Sequence, residues 1–261
     1  KGKRYEDKDF PKTNWNLKKY LWMPNFFLYG IQCITFLKNV FILHGCGVGG
    51  GSLVYANTLL VPPEKAFKDE RWPKGDWGIK LKPFYEKAKQ MLGAISSPHF
   101  GETDILLKEC ADEMGRGHTF KPVNVGIYFG EPGVRQKDPY FEGKGPERNG
   151  CILCGGCMVG CQHNAKNTLV KNYLYLAEKE GIEVIPEREV IDIKKDISGG
   201  YILKVKKSTG IIRKVETFKS KKLILSGGVM GTVKLLLKCR QKGSLSDLSM
   251  QLGNYVRTNS E

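Results

Sequence analysis

No stretch of this 261-residue sequence is both long enough and apolar enough to span a bilayer. The most apolar window, Phe26 to Leu43, is interrupted by Gly30, Gln32, Lys38 and Asn39, so no transmembrane helix is expected. No secretory leader is expected from these residues, and no arginine-rich tract or nucleic-acid module is recognised in them. Lysine and arginine outnumber aspartate and glutamate by 42 to 27, a net charge of +15, which favours anionic ligands, anionic lipid surfaces or polynucleotide through long-range attraction. Because the basic residues are spread along the chain, nucleic acid is not an expected partner. Histidine is scarce, limited to His44, His99, His118 and His163. Eight cysteines, four of them clustered, point to a reducing, cytoplasmic setting and to metal chemistry over disulfides, with association to a membrane surface left open by the charge.

Glycine is where the sequence is rich. Val40-Phe41-Ile42-Leu43 has the length and content of a buried strand, and it runs through His44 into Gly45-Cys46-Gly47-Val48-Gly49-Gly50-Gly51-Ser52, with five glycines in seven positions. Such a backbone can approach a flat or charged ligand without side chains in the way, and its amide N–H groups can hold a phosphate or a ring edge. Gly45, Gly47 and Gly50 fit the G-x-G-x-x-G spacing of a dinucleotide fingerprint. That motif needs a helix directly after it and an acidic residue about 20 positions on, whereas Pro62-Pro63 stops any helix within about three turns. A glycine-rich turn without a ligand is the alternative on spacing alone.

The sharpest chemical signal is Cys151-x-x-Cys154-x-x-Cys157-x-x-x-Cys161. This is the spacing of the bacterial ferredoxin run, in which thiolates point into one pocket, and Gly155, Gly156 and Gly160 give the backbone freedom to reach it. Gln162 replaces the usual proline after the last cysteine, and no second run exists. Three readings stay open. They are an iron–sulfur cluster on Cys151, Cys154 and Cys157 with Cys161 as fourth or spare ligand, a zinc site on the four thiolates or on three with His163, and unmetallated thiols.

Elsewhere the periodicity predicts helices over 82–92, closed by Gly93, over 103–114, and over 169–179, with Asn167 or Thr168 as N-cap and Gly181 as stop. Cys110 reads as a small buried apolar residue. Trp72 and Trp77 read as packing. Residues 119–150 form an ordered irregular excursion suited to covering a substrate. Strands are expected at 182–185, 190–193, 201–205 and 214–218, the last three as an antiparallel meander. Lys222 to Leu225 then forms a strand leading through Ser226-Gly227-Gly228-Val229-Met230-Gly231-Thr232 into a helix, where N–H groups at the helix start welcome an anion.

Taken whole, Gly47-Val48-Gly49-Gly50-Gly51-Ser52-Leu53-Val54 resembles the first signature of the GMC (glucose–methanol–choline) flavoprotein oxidoreductases, in particular their cholesterol-oxidase-like bacterial branch. Gly228 to Leu236 resembles the family's Gly-x-x-Gly-Thr-x-Lys-Leu-Leu, and Leu252 to Asn259 its return towards the flavin. The resemblance implies an α+β fold, with a Rossmann-like FAD-binding sheet beside the small meander. It implies FAD contacts from Gly47, Val48, Gly49, Gly50, Gly51 and Ser52, then Tyr55, Ala56, Asn57 and Thr58 beside the ring, with the Val190 backbone at the adenine, and Gly228 and Val229. Tyr55 stands where many members carry Asn or His. It also implies an incomplete domain, an internal piece opening at Lys1 and stopping at Glu261, divided at 1–118, 119–168 and 169–261.

The activity implied is oxidation of an alcohol or sterol-like hydroxyl by hydride transfer to flavin. An iron–sulfur cluster would pass electrons on to an acceptor protein or quinone, which favours a dehydrogenase over an oxidase. The alternative is a metal-binding module with a vestigial flavin site and no activity. None of the four histidines stands in the family's catalytic motif, so no catalytic residue is assigned and the chain alone is expected to be inactive.

Overall fold

The computed structural model describes residues 1–257. It is a mixed α and β structure with small antiparallel sheets, in keeping with an α+β fold. Thr258 and Asn259, at the end of the segment read as returning to the flavin, lie outside the described residues. The chain divides into two compact units. The larger comprises Tyr5–Trp22 and Gly30–Val184, and the smaller comprises Lys1–Arg4, Met23–Tyr29 and the chain from Ile185 on.

In the larger unit, β1 (Gln32–Leu37) and β2 (Val40–Gly45) form a hairpin over the two-residue turn Lys38-Asn39, pairing Leu37 with Val40 and Gln32 with Gly45. The glycine turn follows β2 as expected. The strand is not buried, however, because Val40, Phe41 and Leu43 are exposed and β2 has β1 as its ladder partner. A one-turn 3-10 helix, Gly50–Leu53, closes the glycine segment and drives Leu53 into a small core with Phe10 and Ile31.

Helix α1 (Trp77–Leu92) starts earlier than the periodicity suggests, since the Asp76 carboxylate accepts from the Ile79 N–H at 3.1 Å. Gly93, at φ +57°, ends it as predicted. Helix α2 (Glu102–Glu113) matches its expected span, but Cys110 is exposed rather than buried, since the face formed by Ile105, Leu106 and Cys110 has no cover among the described residues. Trp72 and Trp77 pack on one another with ring centroids 5.7 Å apart.

The 119–150 excursion is ordered around polar anchors. Asp138 gathers the N–H groups of Tyr140, Phe141, Gly143 and Gly145 at 2.9–3.1 Å. A two-residue pairing of Ile95–Ser96 with Asn124–Val125 ties it to the preceding chain, and one of Arg135–Gln136 with Arg148–Asn149 closes it on itself. The helix expected over 169–179 is split into a 3-10 turn, Leu169–Lys171, and α3 (Tyr173–Lys179). The side-chain cap is therefore Asn172, accepting from the Tyr173 N–H at 2.6 Å, and not Asn167 or Thr168.

The smaller unit holds the predicted meander of β3 (Arg188–Lys195), β4 (Tyr201–Lys207) and β5 (Val215–Ser220), in spatial order β5-β4-β3. The register slips between Lys204 and Val205, which face Asp192 and Val190 and leave Ile191 as an extra residue. Helix α4 (Gly228–Gln241) lays Cys239 on Ile193, Leu203 and Val205 to make the core. The segments 182–185 and 222–225, read as strands, carry no ladder among the described residues. Extended apolar chain becomes a strand only where a neighbour takes up its N–H and C=O groups.

Candidate functional site

The glycine segment is shaped by its own turns. Gly47, Gly49 and Gly50 all take positive φ, at +150°, +105° and +55°. The Ser52 hydroxyl donates to the Gly49 carbonyl at 2.7 Å and accepts the Leu169 N–H at 2.9 Å, so it pins the segment to the chain that follows the cysteines. A Cβ built on Gly50 or Gly51 meets nothing within 4 Å. One side of the segment is thus backbone facing open space, as close approach by a cofactor requires.

Beyond the 3-10 helix, Tyr55 turns inward and its hydroxyl donates to the Asn167 carbonyl at 3.2 Å. Burial pushes that hydroxyl up to about 12. Ala56 and Thr58 are exposed, while Asn57 is buried in the left-handed region, its carbonyl accepting from the Gly126 N–H at 2.9 Å. The Asn57 Oδ1 atom is buried with no hydrogen-bond partner. A buried acceptor left unmatched asks for a donor, and this one lies among the residues that the family resemblance sets beside the flavin ring.

Beneath this segment is a layer that the sequence reading passed over. Ala165, Lys166, Asn167 and Thr168 are consecutive and all buried. The Lys166 ammonium, at 1% exposure, donates to the carbonyls of Leu53, Tyr55 and Cys157 at 3.0, 2.8 and 2.8 Å. It lies 4.7 Å from the centroid of the Tyr55 ring. Burial pulls its pKa down to about 8, against the opposing pull of Cys157 and Cys161. Arg148, also 1% exposed, donates from Nε to the Asn164 carbonyl at 3.0 Å and from its two terminal nitrogens to Asn167 Oδ1 at 2.5 Å and the Lys166 carbonyl at 2.8 Å. Burial lowers its pKa as well. Asn167 completes the layer, donating to Tyr140 Oη at 3.1 Å and the Gly93 carbonyl at 3.3 Å. The signal for this layer in the sequence is the run Ala-Lys-Asn-Thr, which reads as an ordinary helix cap.

All four clustered cysteines, Cys151, Cys154, Cys157 and Cys161, line one cleft of about 260 Å³, together with His99 and His163. The apolar part of its wall includes Phe129 and Leu153, and Lys166 forms part of its floor. Burial pushes the Cys151 and Cys157 thiols up, opposed at Cys157 by a hydrogen bond from Asn57 and the charge of Lys166. Among the described residues, no group of three or more His, Cys, Asp or Glu side chains is arranged to hold a metal ion. His99 reaches the cleft because the Ile95–Ser96 pairing carries its loop there, a placement without a sequence signal. His44 is in β2, its Nε2 3.1 Å from Thr35 Oγ1, and His118 is in a 3-10 turn.

In the smaller unit, Val190 is half-buried in β3 beside the register slip, and Gly228 and Val229 open α4 in exposed positions. Gly228 has φ +70° and nothing within 4 Å of a built Cβ. The expected cofactor contacts are thus divided, with Gly47 to Thr58 in the larger unit and the other three in the smaller.

As a class, this is an α+β protein with a glycine-lined segment anchored on a buried polar layer. No protein-family profile matches the chain. Curated proteins named cholesterol oxidase, from two strains of Mycobacterium tuberculosis, are 49% identical to it over 267 residues, covering 100% of this chain and 46% of their own length. A protein of the same name from Acinetobacter baumannii is 44% identical over 271 residues, covering 100% of this chain and 49% of its own. The chain is homologous to these proteins from end to end and spans about half of their length.

Proposed function

We propose that this chain is the cofactor-holding part of a GMC-type FAD-dependent oxidoreductase acting on an alcohol or sterol-like hydroxyl. The observation that carries the reading is the identity of 49% and 44% to proteins named cholesterol oxidase over the whole chain. Bound FAD would supply hydride acceptance. The chain's own residues would hold it. Gly47, Val48, Gly49, Gly50, Gly51 and Ser52 give the backbone approach, and Tyr55, Ala56, Asn57 and Thr58 follow beside the ring. The unmatched Asn57 Oδ1 and the open side of Gly50 and Gly51 support this placement.

The Val190 backbone would meet the adenine. Gly228 and Val229, at the start of a 14-residue helix, would offer N–H groups to an anionic part of the cofactor. The extended chain at 222–225 would become a strand of a wider Rossmann-like sheet once neighbours are present. Divisions at 1–118, 119–168 and 169–261 follow the same reading, with the 119–150 excursion covering the substrate. No residue of this chain is assigned as the catalytic base, so turnover by the chain alone is not expected. A cytoplasmic or membrane-surface setting, and an acceptor protein or quinone as electron partner, complete the proposal. A metal module lacking flavin is not favoured, since it leaves the homology and the glycine segment without a role.

The test is the visible spectrum of the protein purified without oxygen and reconstituted with FAD, alongside iron, zinc and acid-labile sulfide analysis. Flavin bands are expected. Iron with sulfide would add a cluster on Cys151, Cys154, Cys157 and Cys161, and neither metal would leave those residues as thiols. A colourless protein that takes up no FAD would sink the reading.

A further inference from the structure

Lys166 stands where two segments far apart in sequence meet. Its ammonium donates to the Leu53 and Tyr55 carbonyls, just after the glycine turn, and to the Cys157 carbonyl, inside the cysteine run. An alkylammonium carries three donors, and three carbonyls receive them here. Burying a charge is heavily penalised unless hydrogen bonds compensate it, and here three carbonyls do so. What the ammonium adds is orientation. Each peptide group is planar, so holding the Tyr55 carbonyl also fixes the Ala56 N–H, and holding the Cys157 carbonyl fixes the Met158 N–H. A guanidinium, flat and forked, does not match three acceptors converging on one nitrogen.

We infer that Lys166 is a positioning residue that couples the two loops, so that filling the glycine-lined segment is felt at the cysteine run and a change at the cysteines is felt at the glycine-lined segment. The inference takes FAD as the occupant and in that respect rests on the function proposed above, but the mechanical coupling does not require the flavin.

Amide hydrogen exchange tests it in the wild type and in Lys166→Met, Lys166→Gln and Lys166→Arg, each checked for folding by circular dichroism. In the wild type, FAD is expected to slow exchange over 53–58 and over 155–160, by about 5- to 150-fold as for an ordinary coupling between sites. In the three variants FAD still slows 53–58, while 155–160 stays within about twofold of its flavin-free rate, the coupling having been removed. Retention of the charge in Lys166→Arg does not rescue the response. A 155–160 loop that still answers FAD in folded Lys166→Met and Lys166→Gln overturns the inference. If FAD does not bind the wild type, the flavin reading fails by itself, and iodoacetamide on the cysteines decides the coupling. Exchange over 53–58 must then rise in the wild type and not in the variants. An equal rise in both, or none in the wild type, overturns it.

Discussion

Two glycines six positions apart separate folding from ligand approach. A Cβ on Gly45 would collide with the Gly50 carbonyl, a backbone atom that cannot swing away, whereas a Cβ on Gly51 meets nothing within 4 Å. Gly45→Ala is therefore expected to lower stability by about 1–3 kcal/mol through overpacking. Gly51→Ala should change it by less than about 0.5 kcal/mol while weakening FAD binding. Urea unfolding and flavin titration of both variants check the contrast, and equal losses of FAD affinity without loss of fold would count against it. Arg148→Met removes three hydrogen bonds from the buried layer and leaves Asn167 Oδ1 without this donor, while the Asn164 and Lys166 carbonyls keep the Asn149 and Thr168 N–H groups. An unmatched buried acceptor costs about 1–3 kcal/mol, so a fall in the urea midpoint is expected. The glycine turn and the cysteine spacing were legible at this scale because each is a local pattern. Lys166 and Arg148 were not, since among 42 basic residues nothing in the neighbouring letters marks the two that the fold buries.

Among the elements, the meander and α4 were the most legible, because alternation and turn residues act within a few positions. The cap of α3 was misread, since Asn167 is drawn into the Arg148 layer and leaves the role to Asn172. The 222–225 strand needs partners that no local pattern supplies. The seam between β3 and α4 carries its own prediction. Asp192 Oδ1 accepts from Ser244 Oγ at 2.7 Å and from Cys239 Sγ at 3.6 Å. Burial pushes this carboxyl up, but those hydrogen bonds and the charge of Lys242 outweigh it and leave its pKa below the ordinary value. Its folded pKa thus lies below the unfolded one of about 3.9. The stabilisation is fully present above that unfolded value and drains away as pH falls through the folded one. Urea unfolding of the wild type across the acid range should show this loss, and Asp192→Asn should flatten the slope while being less stable at neutral pH.

At the scale of the whole molecule, the α+β class was an expectation of the family resemblance, and periodicity marked only the single helices and meander strands. No helix of the described residues is long and apolar enough to cross a membrane, as the interrupted apolar window suggested. The solvent exposure of β2 was not legible, because Val40 to Leu43 has the composition of a core strand. That exposure bears on how copies of the chain behave together. The β1–β2 hairpin displays Phe36, 76% exposed, and Phe41, their rings 5.1 Å apart, on a two-stranded ladder. Such an edge is a template on which a strand of another molecule can dock and aggregation can begin. The net charge of +15 keeps copies apart in dilute buffer, but at 0.1 M salt the field reaches only about 10 Å. Light scattering of the isolated chain should therefore rise with salt, and Phe36→Lys should suppress the rise. Charge repulsion then guards the hairpin and ionic strength lifts that guard, so colloidal stability is set by the charge of the whole chain as much as by the few residues that would stick.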